Sequence, residues 1–175
     1  MAALTRSAVA YTPRKIVTLE WAETEIVLSL GLIPSGVADL SGYREWVGVE
    51  NDKLADAIDV GGRQQPSLEA LMRLKPDLIV TSALRHGTIA SRLNEIAPTI
   101  LSDGASSTSD FYEATKLSLL NVAKATDRDA AGHAEWQTFE ERLSAVQKRT
   151  SIPSMWLLHS HCPVLHGSAF SHPIL

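Results

Sequence analysis

Arginine and aromatic residues follow four short apolar runs of the sequence, at the point where each run ends. They are Trp21 after the first run, Tyr43, Arg44 and Trp46 after the second, Arg63 after the third, and Arg85 and His86 after the fourth. Tryptophan and tyrosine offer large stacking surfaces, and the arginine guanidinium group is a planar donor for anionic oxygens. Together these residue types would bind an anionic, oxygen-rich ligand that also has apolar parts.

The apolar runs have the length and composition of buried strands, and helical patterns separate them. Strands are predicted over residues 16–19, 35–38, 58–60, 78–82 and 99–101. Helices are predicted over residues 24–30, 68–74 and 89–96. This alternation predicts an α/β lobe with a parallel sheet over residues 14–105. Because the carboxyl ends of parallel strands meet at one edge, the arginine and aromatic residues should line one crevice.

The rest of the chain has a different pattern. Over residues 109–150, apolar residues recur near the 3.6-residue period without a proline, which predicts one long helix or two helices joined near Asp127. Residues 151–175 contain no Asp, Glu, Lys or Arg and hold four of the six histidines. This tail, with one predicted strand at 155–158, is expected to begin a second domain that the chain does not complete.

The tail groups residues that could ligate a metal, namely His159, His161, Cys162 and His166. Zinc accepts both ligand types, but this spacing matches no common structural zinc site, and on a strand the cysteine would point away from the first two histidines. No metal site is therefore predicted. The sequence also lacks a glycine-rich phosphate loop and a GxSxG nucleophile motif, so no enzymatic activity is predicted.

The composition excludes further classes of function. The chain has 175 residues and a net charge of −4, and a mildly acidic chain without a basic stripe is a poor nucleic-acid binder. No apolar run is long enough to span a membrane. The single cysteine excludes an internal disulfide. The first 15 residues are too polar for the core of a signal peptide, which leaves a cytoplasmic protein or one whose signal has been removed.

Six segments resemble the periplasmic ferric-siderophore-binding proteins of ABC transporters, and above all their ferric hydroxamate type. The segments are RKIVTLEW (14–21), LGLIPSGVAD (30–39), YREW (43–46), IDVGGR (58–63), PSLEALMRLKPDLIV (66–80) and NEIAP (94–98). The stretch LEALMRLKPDLIV is shared by the wider family of cluster-type substrate-binding proteins, which includes vitamin B12 and haem binders. The resemblance extends to about Arg149 and is thin from Ser151 onward.

The resemblance implies two α/β lobes joined by one long helix, with the ligand in a shallow cleft between them. The chain would supply the N-terminal lobe (14–105), the bridging-helix region (109–150) and the start of an incomplete second lobe (151–175). It would be a truncated member with most of the second lobe absent. The implied location is the periplasm, with the signal peptide removed or missing, and the implied function is binding and delivery without chemistry.

The resemblance also implies roles for single residues. Arg63 corresponds to the arginine that bonds the iron-chelating oxygens, and Trp21 and Trp46 correspond to aromatic walls of the site. Arg85 or His86 stands where the hydroxamate binder has a tyrosine, and the additional arginine favours carboxylate-bearing siderophores. The siderophore itself supplies every iron ligand, so no cofactor is implied.

Glu69 corresponds to a surface glutamate that docks onto an arginine of the membrane permease, the implied protein partner. Two alternatives stay open at this point. The first is haem or cobalamin recognition, and a haem binder would need an axial His or Tyr in the crevice, for which Tyr43 or His86 could serve. The alternative from another class is a small cytoplasmic α/β enzyme or a nonfunctional gene fragment.

Overall fold

A computed structural model describes residues 13–102 and 111–150, which form a parallel sheet with helices on both faces. The strands are β1 (Ile16–Thr18), β2 (Gly36–Val37), β3 (Ile58–Asp59), β4 (Leu78–Ser82) and β5 (Thr99–Ser102). Their order in the sheet is β3-β2-β1-β4-β5, and each neighbouring pair is parallel. The α/β class and the parallel sheet predicted from the sequence are thus confirmed.

Seven α-helices lie within the described residues. They are α1 (Trp21–Ser29), α2 (Leu40–Gly42), α3 (Leu68–Leu74), α4 (Ala83–His86), α5 (Ala90–Ile96), α6 (Phe111–Ala125) and α7 (Asp129–Thr150). A π-helical turn, Tyr43–Val47, and two 3₁₀ turns, Asn51–Leu54 and Gly87–Ile89, complete the connections.

The central strands send alternate residues into two apolar clusters on opposite faces of the sheet. Ile16 and Val80 pack in a cluster with residues of α1, α6 and α7. Val17 and Ile79 pack in another cluster with residues of α3 and α5. Strand side chains alternate between faces, and both faces are covered here, so the strands are apolar at nearly every position.

The strand order reverses between β1 and β4, the two central strands. β1 pairs with β2 on one side and with β4 on the other, so the chain leaves these strands in opposite directions. In open parallel sheets the connections diverge at such a reversal and leave a crevice outside the carboxyl ends of the strands. The fold therefore places the expected crevice at the ends of β1 and β4.

The α3–β4 unit has the bounds that the sequence predicts, with Ser67 capping the helix by accepting a hydrogen bond from the Ala70 amide at 3.1 Å. By contrast, α1 begins at Trp21, three residues before the predicted start. Its first turn contains Glu23 and Thr24, which are polar but buried. The apolar periodicity could not reveal a first turn of this kind.

The region after β5 contains two helices, which is one of the two forms that the sequence left open. The chain turns at Asp127, which has a positive φ of 57°, and α7 then packs back against α6. A Cβ atom at Gly132 would lie 2.5 Å from that of Ala123, so glycine allows the close approach of the helices. The Tyr112 and Trp136 rings meet edge to face at 4.8 Å. The bridging role of residues 109–150 stays a prediction.

Candidate functional site

Three loops bring charged and aromatic residues to the carboxyl edge of the sheet. Glu20 and Trp21 follow β1, and Arg85 follows β4, on the two sides of the strand-order reversal. Arg63 comes from the loop after β3, where Gly61 has a φ of 96° and forms an isolated bridge with Pro66. A side chain at Gly61 would meet the Ser67 amide nitrogen at 2.8 Å, so the tight loop that presents Arg63 requires glycine.

The carboxylate of Glu20 joins the two arginines. Arg63 donates from Nε and Nη2 to Glu20 Oε2, at 3.0 and 2.6 Å. Arg85 forms an ion pair with the other oxygen, Oε1, but the contact lacks hydrogen-bond geometry. The Glu20 side chain is 7% exposed, whereas those of Arg63 and Arg85 are 27% and 36% exposed. We call these three residues the Glu20 cluster, and its formal charge is +1.

Trp21 supports the cluster from the first turn of α1. The guanidinium carbon of Arg63 lies 4.1 Å from the centroid of the Trp21 ring, within cation–π distance. The indole Nε1 donates to the Asp39 carbonyl at 3.3 Å, which fixes the plane of the ring. Trp21 is half-buried. The structure therefore joins two sequence-predicted site residues, Trp21 and Arg63.

Two large apolar side chains are exposed on elements that follow strands at the same edge. Trp46, which the sequence singled out, lies in the π-helical turn after α2 and is 74% exposed. Leu84, which it did not single out, lies in α4 beside Arg85 and is 79% exposed. Such side chains can contact the apolar parts of a ligand that the arginines hold by its oxygens.

Tyr43 does not belong to this edge, which corrects the sequence prediction. It is fully buried in an apolar cluster with Val37 and Leu54, and its hydroxyl donates to the Val49 carbonyl at 3.0 Å. Burial raises the pKa of Tyr43 to about 12. Its neighbour Arg44 is also turned to this region, because Nη2 donates to the Leu54 carbonyl at 2.9 Å. Both side chains stabilise the loop after β2.

His86 is likewise a buried residue and not an exposed ligand contact. Its Nδ1 is 2.6 Å from the Thr81 hydroxyl oxygen, and its side chain is almost completely inaccessible. Burial lowers the pKa of His86, partly opposed by the charge of Glu20 and the backbone of Arg63. With Tyr43 and His86 both buried, neither residue that could have been axial to haem is available.

A second buried carboxylate, Glu23, lies one turn after Glu20. Its Oε1 accepts a hydrogen bond from the Ser102 hydroxyl at the end of β5, and its Oε2 has no donor among the described residues. Burial raises the pKa of Glu23, and the charge of Glu20 adds to this effect, while the hydrogen bond from Ser102 opposes it. Glu23 is thereby shifted towards its neutral form.

Glu69 lies in the first turn of α3, after the loop that carries Arg63. Its side chain is 79% exposed and accepts a hydrogen bond from Arg73 Nη2 at 2.6 Å, one helical turn away. The beginning of a helix that follows a parallel strand lies towards the carboxyl edge of the sheet. Glu69 is therefore accessible to a protein that approaches this edge.

Residues 16–154 match the sequence model of a family described as periplasmic binding protein. The match covers well over half of the chain. The chain belongs to this family of periplasmic binding proteins. The family is one of non-enzymatic transport components, as the sequence resemblance predicted.

Two relatives with similar sequences are named for ferric ligands. The chain is 45% identical over 95 residues to the iron(3+)-hydroxamate-binding protein FhuD of Escherichia coli. The aligned region is 54% of the chain and 31% of FhuD. It is 35% identical over 127 residues to the Fe(3+)-citrate-binding protein YfmC of Bacillus subtilis. The aligned region is 73% of the chain and 39% of YfmC.

A solved structure has the same fold. Staphylococcus aureus SirA complexed with staphyloferrin B is 30% identical, with a TM-score of 0.67 over 81% of the chain and 46% of SirA. The chain thus spans less than half the length of these relatives.

The sequence analysis missed the two buried glutamates of this site. Glu20 belongs to the quoted LEW segment, directly after an apolar strand, and a charged residue at such a position must be paired when it is buried. That rule could have found it. Glu23 has no such signal, because a glutamate in the first turn of a helix is ordinarily a surface residue that faces the helix dipole.

Residues 13–102 and 111–150 contain no group of three or more His, Cys, Asp or Glu side chains placed to hold a metal ion. They also contain no helix with both the length and the apolar character needed to cross a membrane. The tail residues considered as ligands, from His159 to His166, lie outside the described residues.

Proposed function

We propose that this chain binds a ferric siderophore at the carboxyl edge of the sheet and takes part in its delivery to an ABC-transporter permease. The ligand's carboxylate or hydroxamate oxygens contact Arg63 and Arg85, and its apolar parts contact Trp21, Trp46 and Leu84. The siderophore retains all the iron ligands, so binding makes and breaks no covalent bond.

The observation that carries this proposal is that two arginines share one carboxylate at the strand-order reversal. Arg63 directs Nε and Nη2 to Glu20, and its Nη1 makes no hydrogen bond within the described residues. Arg85 is partly exposed and contacts only one oxygen of Glu20. Since guanidinium groups donate well to planar oxygen pairs, both residues can bind chelating oxygens without leaving Glu20.

The relatives support the ligand class. FhuD is named for a ferric hydroxamate, YfmC for ferric citrate, and SirA was solved with staphyloferrin B. The first two names describe ferric chelates, and each such chelate presents oxygen atoms around the metal. The arginine pair at the sheet edge is suited to this shared chemistry.

Delivery is proposed to involve Glu69. It is exposed, it lies towards the same edge as the ligand, and its partner Arg73 is equally exposed. An exposed ion pair within one helix contributes little stability, so an arginine of another protein can replace Arg73 as the partner of Glu69.

We place the protein outside the cytoplasm, in the periplasm, because a siderophore must be captured before it crosses the membrane.

A titration of the 175-residue chain with ferric citrate tests the binding proposal. Arg63→Ala is expected to weaken binding by about 10- to 150-fold, because a charge-assisted hydrogen bond contributes about 1.5–3 kcal/mol. The matched control is Arg92→Ala, which removes an exposed arginine of α5 and should leave the affinity unchanged. Equal affinities of the two variants, measured by calorimetry, would remove Arg63 from the site.

A further inference from the structure

Glu20 differs from an ordinary helix-capping residue. It occupies the N-cap position of α1, yet its side chain makes no capping hydrogen bond and turns instead to the arginines. Its backbone is fixed separately, because its carbonyl accepts from both the amide and the hydroxyl of Thr24 at 3.0 Å. A buried carboxylate is therefore held in place by the backbone of the strand–helix junction and is available to bind cations.

The two arginines reach Glu20 from segments that are distant from it in sequence. Arg63 lies 43 residues after Glu20, and Arg85 comes from the helix after β4. Both guanidinium groups are cationic and contact the same carboxylate, so they would repel each other without it. Glu20 is thus the group that holds the two arginines together.

No other carboxylate of the described residues forms an ion pair with these arginines. Asp39 accepts from the Gly42 amide, and Asp59 accepts from the amides of Leu40 and Gly61. Glu23 accepts from Ser102 and has no ion-pair partner. Within residues 13–102 and 111–150, no carboxylate besides Glu20 therefore offsets the remaining positive charge of the Glu20 cluster by direct contact.

We propose that Glu20 is a specificity-determining positioning residue, which holds Arg63 and Arg85 side by side and offsets one of their two positive charges, so that the site prefers anionic ferric chelates to cationic ones, but less strongly than the two arginines alone would. This inference rests on the proposed function and names the charge class of its substrate. The preferred ligands are ferric siderophores with a free carboxylate. The preference has its origin in charge and not in the shape of the chelate.

The test compares two chelates of opposite charge. Ferric citrate is an anion, whereas the ferric complex of desferrioxamine B has a free ammonium group and is a cation. The quantity measured is the ratio of the two dissociation constants, cationic over anionic, for the 175-residue chain at low ionic strength. A variant that merely loosens the fold weakens both chelates and leaves this ratio unchanged.

Glu20→Gln keeps the size of the side chain and removes its charge, which raises the charge of the cluster to +2. The ratio is expected to rise about tenfold, the equivalent of ~1.4 kcal/mol for one added charge interaction. Arg85→Gln lowers the charge to zero, and the ratio is expected to fall about fivefold. Because Arg85 is partly exposed, this variant tests the inference even if Glu20→Gln does not fold. Glu95→Gln, at an exposed position of α5, is the control.

Opposite shifts of the ratio in Glu20→Gln and Arg85→Gln, with no shift in the control, would support the inference. If the wild type binds a chelate and both variants have the same ratio as the wild type, the inference is overturned and the proposed function stays intact. A wild-type chain that binds neither chelate at millimolar concentration would overturn the proposed function and this inference together.

Discussion

Two ion pairs in this protein have the same length and very different surroundings. Arg63 Nη2 to Glu20 Oε2 and Arg73 Nη2 to Glu69 Oε1 both measure 2.6 Å. The side chain of Glu20 is 7% exposed, whereas that of Glu69 is 79% exposed. Water screens the exposed pair and can replace either partner, but it cannot solvate the buried carboxylate. Burial, and not distance, therefore makes the first pair part of a fixed site and the second an exchangeable surface contact.

Removing the arginine of each pair should separate the two regions most strongly. Arg63→Ala leaves the buried Glu20 with only Arg85, and the free energy of unfolding should fall by about 2–3 kcal/mol. Arg73→Ala should change it by less than about 0.5 kcal/mol. Urea denaturation of both variants measures the difference. Equal losses would mean that the Glu20 cluster is no more than a surface contact.

The loop that presents Arg63 offers the next largest effect. Gly61→Ala places a Cβ 2.8 Å from the Ser67 amide nitrogen at a φ of 96°, and a loss of about 2 kcal/mol is expected together with weaker binding of ferric citrate. Gly31→Ala is the matched control, because Gly31 has a φ of 73° but open space around it. It should lose about 1 kcal/mol and bind normally. Normal binding by Gly61→Ala would show that the loop conformation does not matter.

The pH dependence of stability distinguishes the buried region from the exposed one. Because burial raises the pKa of Glu23 above its ordinary value of 4.5, the folded state retains a proton that the unfolded state loses. The wild type therefore loses stability as the pH rises from 4.5 through the folded-state pKa. Glu23→Gln removes this loss, and the variant should gain about 1 kcal/mol over the wild type at neutral pH.

At pH 4 Glu23→Gln and the wild type should be about equally stable, because the carboxyl is then protonated in the folded state and largely in the unfolded state. Glu69→Gln is the exposed control and should show no comparable pH-dependent gain. Thermal unfolding at a series of pH values measures both differences. A gain of Glu23→Gln that is the same at pH 4 and pH 7 would contradict a raised pKa of Glu23 in the folded protein.

The smallest effect on the isolated chain is expected at Glu69. Glu69→Ala should change the stability by less than about 0.5 kcal/mol and leave the affinity for ferric citrate unaltered. In cells that contain the permease and express this protein, siderophore uptake should nevertheless be slower with the variant than with the wild type. Glu95→Ala, at an exposed position of α5, is the control. Normal uptake by Glu69→Ala would remove the proposed docking role.

The sequence predicts the fold well where local signals agree. For α3 and β4 the predicted bounds match the structure, because the Ser67 cap and Pro76 mark the ends of the helix and the strand is a continuous apolar run. The predicted parallel sheet brings Arg63 and Arg85 to one edge. Trp21 follows the neighbouring strand and lies against Arg63. The sequence could identify these residues because the carboxyl ends of parallel strands meet at one edge of the sheet. Their position at that edge does not depend on the details of side-chain packing.

The remaining errors concern burial within loops. Tyr43 and His86 have the residue types of a binding site and follow strands, yet both are buried, Tyr43 in an apolar cluster and His86 beside the Thr81 hydroxyl. The importance of Glu20 depends on a contact with a residue 43 positions away, which periodicity and capping rules cannot detect. Side-chain contacts between distant loops come from tertiary packing, so only the structure reveals them.

A crystal structure of the chain with ferric citrate tests the central claim most directly. We expect the chelate at the carboxyl edge of the sheet, beside the reversal between β1 and β4, with its oxygens about 3 Å from the guanidinium nitrogens of Arg63 and Arg85. Glu20 should remain bound to both arginines. A chelate bound elsewhere, with Arg63 and Arg85 making no contact with it, would contradict the account.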